Sequence, residues 1–136
     1  MKFLQTFIFT ISMFTLFSCQ ESGPKDYAIH KDQCDNCRMT ITEIQYATQL
    51  VTEKGRVYKF DDISCMTMFE NSETDKVVNS KKYVVDFPSK KNIELAKATL
   101  IKGGNIKSPM GGNTQAYENK EMAKKAAAKF GASLVK

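Results

Sequence analysis

The sequence predicts an α+β fold in a single small domain, and three observations predict it. Two β-branched and aromatic runs, Ile44 to Val51 and Arg56 to Phe60, flank Thr52-Glu53-Lys54-Gly55 in the pattern of an antiparallel hairpin, with Gly55 free to take a positive φ. Helix signals stand elsewhere, at Asp61-Asp62 before Ile63 and along the Ala- and Lys-rich stretch from Glu118 to Phe130. Without residues 1–18, which read as a cleaved leader, 118 of the 136 residues remain, enough for one hydrophobic core but not two.

At the N-terminus, Lys2 precedes an apolar stretch from Phe3 to Phe17 that is interrupted by Gln5, Thr6, Thr10, Ser12 and Thr15. A spanning helix needs roughly 20 apolar residues, so this shorter stretch reads as a secretory signal. It ends in Leu16-Phe17-Ser18-Cys19, which resembles the lipobox of bacterial lipoproteins. Residues 1–18 are therefore expected to be a signal peptide, with Cys19 acylated. Each buried CH₂ of the lipid contributes about 0.8 kcal/mol, and more than one chain is needed for a stable anchor. The expected location is the cell-envelope membrane, facing the periplasm or exterior. Residues 19–27, polar with Gly23 and Pro24, are expected to be a flexible tether, and 28–136 the folded domain.

The remaining elements follow in order. Asp61 or Asp62 is placed to cap a short helix from Ile63 to about Glu70. Tyr83 to Phe87 reads as a third strand stopped by Pro88. Asn92 is placed to cap a helix from Ile93 to about Ile101, ended by Gly103-Gly104. The C-terminal helix carries Met122, Ala126 and Phe130 on one face and stops at Gly131, and Ala132 to Val135 is expected to add a last strand.

The formal charge of +5 falls to +4 once Lys2 is gone. Its basic residues are scattered or lie on the C-terminal helix without interleaved aromatics, so no nucleic-acid surface is expected. With Cys19 lipidated, Cys34, Cys37 and Cys65 form an odd set, which a disulfide framework would not favour. At least one thiol is left free, paired elsewhere or bound to a metal.

Sulfur is concentrated in three segments: Cys34-Asp35-Asn36-Cys37-Arg38-Met39, Cys65-Met66-Thr67-Met68, and the Gly-rich Ser108-Pro109-Met110-Gly111-Gly112-Asn113. Soft thiolate and thioether donors select Cu(I). Cys37 and Met39, two apart, project to the same side of an extended segment. Met110 is the best third donor, because Pro109 stiffens its loop and the glycines let the backbone come close. One thiolate with Cu(I) is net neutral, which avoids a buried uncompensated charge. Met66, Met68 and Met122 are read as core fillers, and Cys34 and Cys65 as additional metal or redox candidates. Two rivals share the cysteines. His30, Cys34, Cys37 and Cys65 can make a structural Cys₃His zinc module, and Cys34 with Cys37 a thiol oxidoreductase pair. With one histidine and no nucleophile–base spacing, no enzymatic activity is expected.

The ordered series Cys34-x-x-Cys37-x-Met39, Phe60-Asp61-Asp62-Ile63-x-Cys65-Met66, Tyr83-Val84-Val85-Asp86 and Ser108-Pro109-Met110-Gly111 resembles the NosL family of copper chaperones. The resemblance implies a small α+β fold with a treble-clef-like N-terminal part and one Cu(I) held by Cys37, Met39 and Met110. It also implies delivery toward a copper-accepting enzyme, nitrous oxide reductase or a related cuproenzyme, in concert with an ABC-type membrane transporter complex. The sequence departs from the family pattern at Arg38, where glycine is frequent; a fixed positive charge there favours the metal-binding thiolate.

Overall fold

The computed structural model describes residues 23–135, so the expected signal peptide and Cys19 lie outside the described residues. Strand β1 (Thr48–Val51) is one of the two inner members of a four-stranded antiparallel sheet in the order β2-β1-β3-β4, with β2 at Val57–Phe60, β3 at Lys81–Val85 and β4 at Asn92–Glu94. Thr48 faces Phe60 on one side and Val84 on the other, and Val85 faces Asn92. A three-stranded antiparallel sheet orders β6 (Thr114–Tyr117), β5 (Thr99–Lys102) and β7 (Ser133–Leu134), with Leu100 opposite Ala116. A bridge between Asp86 and Ala116 joins the two sheets, with the Phe87 amide donating to the Ala116 carbonyl at 2.8 Å.

The hairpin closes as expected, Gly55 taking φ 80° while its amide donates to the Thr52 carbonyl at 2.9 Å. Its first strand is shorter than expected, since Ile44–Tyr46 is a 3₁₀ turn. The paired registers of β2 and β3 begin only at Thr48, so the chain before it has no neighbour to hold it extended. Tyr46 packs edge-on against Phe87, ring centroids 5.8 Å apart.

Helix α1 (Ile63–Ser72) is capped by Asp62, which accepts from the Ser64 amide, and it buries Cys65, Met66 and Phe69. Phe69 lies 4.8 Å from Tyr58 and 5.2 Å from Phe60, so α1 closes over the hairpin through an aromatic cluster. Helix α2 (Lys120–Phe130) begins at Asn119, which accepts from two amides, and ends at Gly131 with φ 63°. Its buried face is Ala123 and Ala127, packed with Ile101, Ile106 and Tyr117. Met122 is 46 % exposed and Met68 47 %, so neither is the core filler expected, whereas Met66 is.

Two further expectations change. Residues 93–101, expected to be helical, form β4, a turn and β5. Residues 24–27, expected to be tether, lie against the sheet. The buried Gln49 carboxamide accepts from the Lys25 amide at 2.8 Å and donates to the Lys25 carbonyl at 2.6 Å, and the Lys59 ammonium donates to the Asp26 carbonyl at 2.6 Å. Among the described residues no helix is long and apolar enough to cross a membrane.

Candidate metal centre

The segment 33–40 is a tight knuckle. Gln33 bridges Thr40, the Cys34 amide donates to the Met39 carbonyl at 2.8 Å, and the Arg38 amide donates to the Cys34 carbonyl at 2.9 Å. Asp35 fastens the knuckle to β2, its amide donating to the Lys59 carbonyl at 2.8 Å and its carboxyl accepting from the Lys59 amide at 2.7 Å. Knuckle, hairpin and α1 follow one another in the treble-clef manner, and that order brings distant residues together. Cys65 sits in the first turn of α1, and Asp61 directly follows β2, one residue before the helix cap Asp62.

Ligand atoms of Cys34, Cys37, Asp61 and Cys65 all lie within 4.8 Å of one another. The three thiols are free. Cys34 and Cys65 are fully buried and Asp61 nearly so, while Cys37 is half-buried and gives the cluster its opening toward solvent. The Cys37 thiol donates to Asp61 Oδ2 at 3.6 Å, and the buried Asp61 Oδ1 has no hydrogen-bond partner in the protein. A buried polar atom left so is costly unless an additional partner can reach it.

The electrostatics favour the neutral thiols in the metal-free chain. Burial pushes the Cys34 thiol up to about 11, against the opposing pull of the amides of Cys37, Asp61 and Asn36. Burial pushes Cys65 higher still, and the neighbouring Asp61 carboxyl acts in the same direction. A metal ion bound to either thiol would have to replace its proton.

Of the residues expected to bind metal, Cys37 belongs to the cluster, and Met110 packs against the same buried core that contains Cys34 and Cys65. Met39 is 56 % exposed at the end of the knuckle. Cys34 and Cys65, the additional candidates, are both in the cluster. His30 is exposed and is no member of it; the fourth position of the expected Cys₃His set is filled by Asp61. Asp61 escaped the sequence reading because the doublet was explained as a helix cap, a task that Asp62 performs alone. The signal available was the second carboxyl, for which a cap has no use.

The NosL family model matches residues 27–136, which take in the knuckle, the Asp doublet, Cys65 and the Met110 loop. The chain belongs to the NosL family. None of the curated proteins compared with it matches. Among solved structures it is similar to the copper chaperone NosL from Shewanella denitrificans, at a TM-score of 0.66 and 22 % identity, over 82 % of this chain and 92 % of that one. At that identity the likeness is one of fold, and it agrees with the α+β architecture described above.

Arg38, where the sequence resemblance implies glycine, sits in a backbone conformation that suits glycine. Arg38 holds φ 66°, in the left-handed region that glycine enters freely and an arginine enters under strain. The knuckle keeps its shape despite the departure.

Proposed function

We propose that this chain is a membrane-anchored copper chaperone that takes up one Cu(I) and hands it to a copper-accepting enzyme. The observation that carries the reading is the cluster of three free thiols, open at Cys37, with Met110 packed against the same core. Membership of the NosL family and the fold shared with a NosL copper chaperone support it. Cys37, Met39 and Met110 are the ligands proposed, with Cys34 and Cys65 as reserve thiols. Thioethers stay unprotonated at all physiological pH values, and soft donors favour Cu(I) over harder ions. One donor set against the core and one exposed at the surface suit a cargo that must leave: a partner's ligand can displace the outer sulfur without unfolding the knuckle.

The client proposed is nitrous oxide reductase or a related cuproenzyme, reached with an ABC-type membrane complex, and the anchor proposed is lipid on Cys19. Cys19→Ser is expected to move the protein from the membrane fraction to the soluble one; an unchanged distribution removes the anchor.

The deciding experiment is anaerobic titration of the reduced mature protein with Cu(I) against a competing chelator. Met39→Ala and Met110→Ala are each expected to weaken binding by on the order of tenfold to a hundredfold, the range typical of damage to a metal site. Wild-type affinity in both variants refutes the Cys/Met set.

A second reading rests on the same cluster. Three cysteines and a carboxyl suit a structural Zn²⁺. Metal–sulfur bonds of about 2.3 Å give tetrahedral edges of about 3.8 Å, so the group need only contract by roughly an ångström from its present limit. Stoichiometric zinc in the purified protein, and unfolding on chelation, would favour that reading.

A further inference from the structure

The loop that carries Met110 is drawn to α1 by a single side chain. Asp62 is almost fully buried, and its two carboxyl oxygens do different work. Oδ1 accepts from the Ser64 amide at 2.9 Å and the Ser64 hydroxyl at 3.1 Å, which caps the helix. Oδ2 accepts from the Ser108 hydroxyl at 2.5 Å, the Met110 amide at 3.0 Å and the Gly112 amide at 3.3 Å. Three donors from one loop thus converge on one oxygen contributed by a residue 46 to 50 positions earlier.

We infer that Asp62 is the positioning residue of the copper site, holding the backbone of Met110 at a set place relative to the thiol cluster without itself binding the metal. This rests on the proposed role of Met110 as a ligand. The loop is ordered from within as well: the Ser108 hydroxyl accepts from the Asn113 amide at 2.7 Å, and the Gly111 amide donates to the Ser108 carbonyl at 3.1 Å. That internal order shapes the loop but does not say where it sits. The link to Asp62 does, because Asp62 is three residues before Cys65 and immediately after Asp61.

Capping alone does not account for the side chain. An asparagine or serine caps a helix about as well as an aspartate. Accepting three further donors on the second oxygen needs an anionic carboxyl, since an amide NH₂ turned toward N–H and O–H groups would repel them. Burial alone would raise the Asp62 pKa, yet the Ser108 and Ser64 hydroxyls and the amides of Ser64 and Met110 outweigh it and hold the group below the usual carboxylate range. Gly112 fits the same account: a Cβ built there would run into Asp62 Oδ1, so only glycine lets the loop come this close.

The test is a double-mutant cycle read by Cu(I) affinity against a competing chelator, on the reduced mature chain. Asp62→Asn keeps a good cap and loses the loop. It is expected to weaken Cu(I) binding tenfold to a hundredfold in the wild-type background, as loss of a residue supporting a metal ligand does. In Met110→Ala it is expected to change affinity by less than about threefold, because the ligand it positions is already gone. X-ray absorption should count one sulfur fewer around copper in Asp62→Asn than in wild type. Equal losses in both backgrounds, or none, overturn the inference. Should Asp62→Asn fail to fold, Gly112→Ala pushes the loop away from an intact carboxyl, and the same pattern of loss, dependent on Met110, is expected. Wild-type affinity in Met110→Ala would instead remove the copper role of Met110 and this inference with it, a result told apart by which single variant is silent.

Discussion

Arg38 shows what one residue costs the knuckle. Its φ of 66° brings Cβ against the following carbonyl, a strain of roughly 1–2 kcal/mol for an L-residue. Glycine would relieve it, while returning some stability through the larger freedom of the unfolded chain. Arg38→Gly is therefore expected to stabilise the protein by a net of about 0.5–1 kcal/mol, seen as a thermal midpoint a few degrees higher. An unchanged or lower midpoint means the side chain earns its strain through contacts of its own. The cysteines were legible as candidates in the sequence because a thiol is informative wherever it stands, and the fold brings all three together, with Met110 packed against the same core. Asp61 was not legible, because a local explanation, the helix cap, already absorbed the doublet. Only the fold separates the two carboxyls, sending Asp62 to the helix and loop and Asp61 to the thiols.

Elements whose signals are local were legible in the same way. The hairpin turn at Gly55, the cap at residue 62 and the stop at Gly131 each depend on residues within one turn of chain, and each is found where the sequence places it. The stretch Asn92-Ile93-Glu94-Leu95-Ala96-Lys97-Ala98-Thr99-Leu100-Ile101 behaves differently. Its composition favours a helix, yet Asn92–Glu94 pairs with β3 and Thr99–Lys102 pairs with β6 and β7, partners the local pattern cannot announce. Pairing and burial of Ala98, Leu100 and Ile101 outweigh a propensity worth only tenths of a kcal/mol per residue. Ala96 separates the two accounts. In a helix interior Ala96→Gly costs about 1 kcal/mol. In the exposed turn between β4 and β5 it is expected to cost less than about 0.5 kcal/mol by urea denaturation, and the larger value would contradict the strand assignment.

Across the whole molecule, the burial of thiols makes the metal-free fold sensitive to alkali. The Cys34 thiol, ordinarily at 9.0, is raised by burial to about 11, and Cys65 is raised in the same direction. A group raised on folding binds its proton more tightly in the native chain, so its contribution is complete below pH 9 and is lost as pH climbs toward 11. Tyr117, raised by burial from 10.0 to about 12, adds to the decline from pH 10 upward. Metal binding has the opposite sign. Where a buried thiol serves as a ligand, as Cys34 and Cys65 do in the zinc reading, it must release its proton, so in this range affinity rises with pH by up to about tenfold per unit for each proton released. The urea midpoint of the metal-free protein is accordingly expected to fall between pH 9 and 11, and Cys34→Ser to flatten the first part of that fall. The Cu(I)-loaded protein is expected to show the same fall, since Cys34 and Cys65 stand outside the proposed Cys37, Met39 and Met110 set and keep their protons, whereas a zinc-loaded protein would hold its midpoint. A metal-free midpoint that stays level to pH 11, or a Cys34→Ser curve that follows wild type, would mean that the thiols are not what ties this fold to its protons.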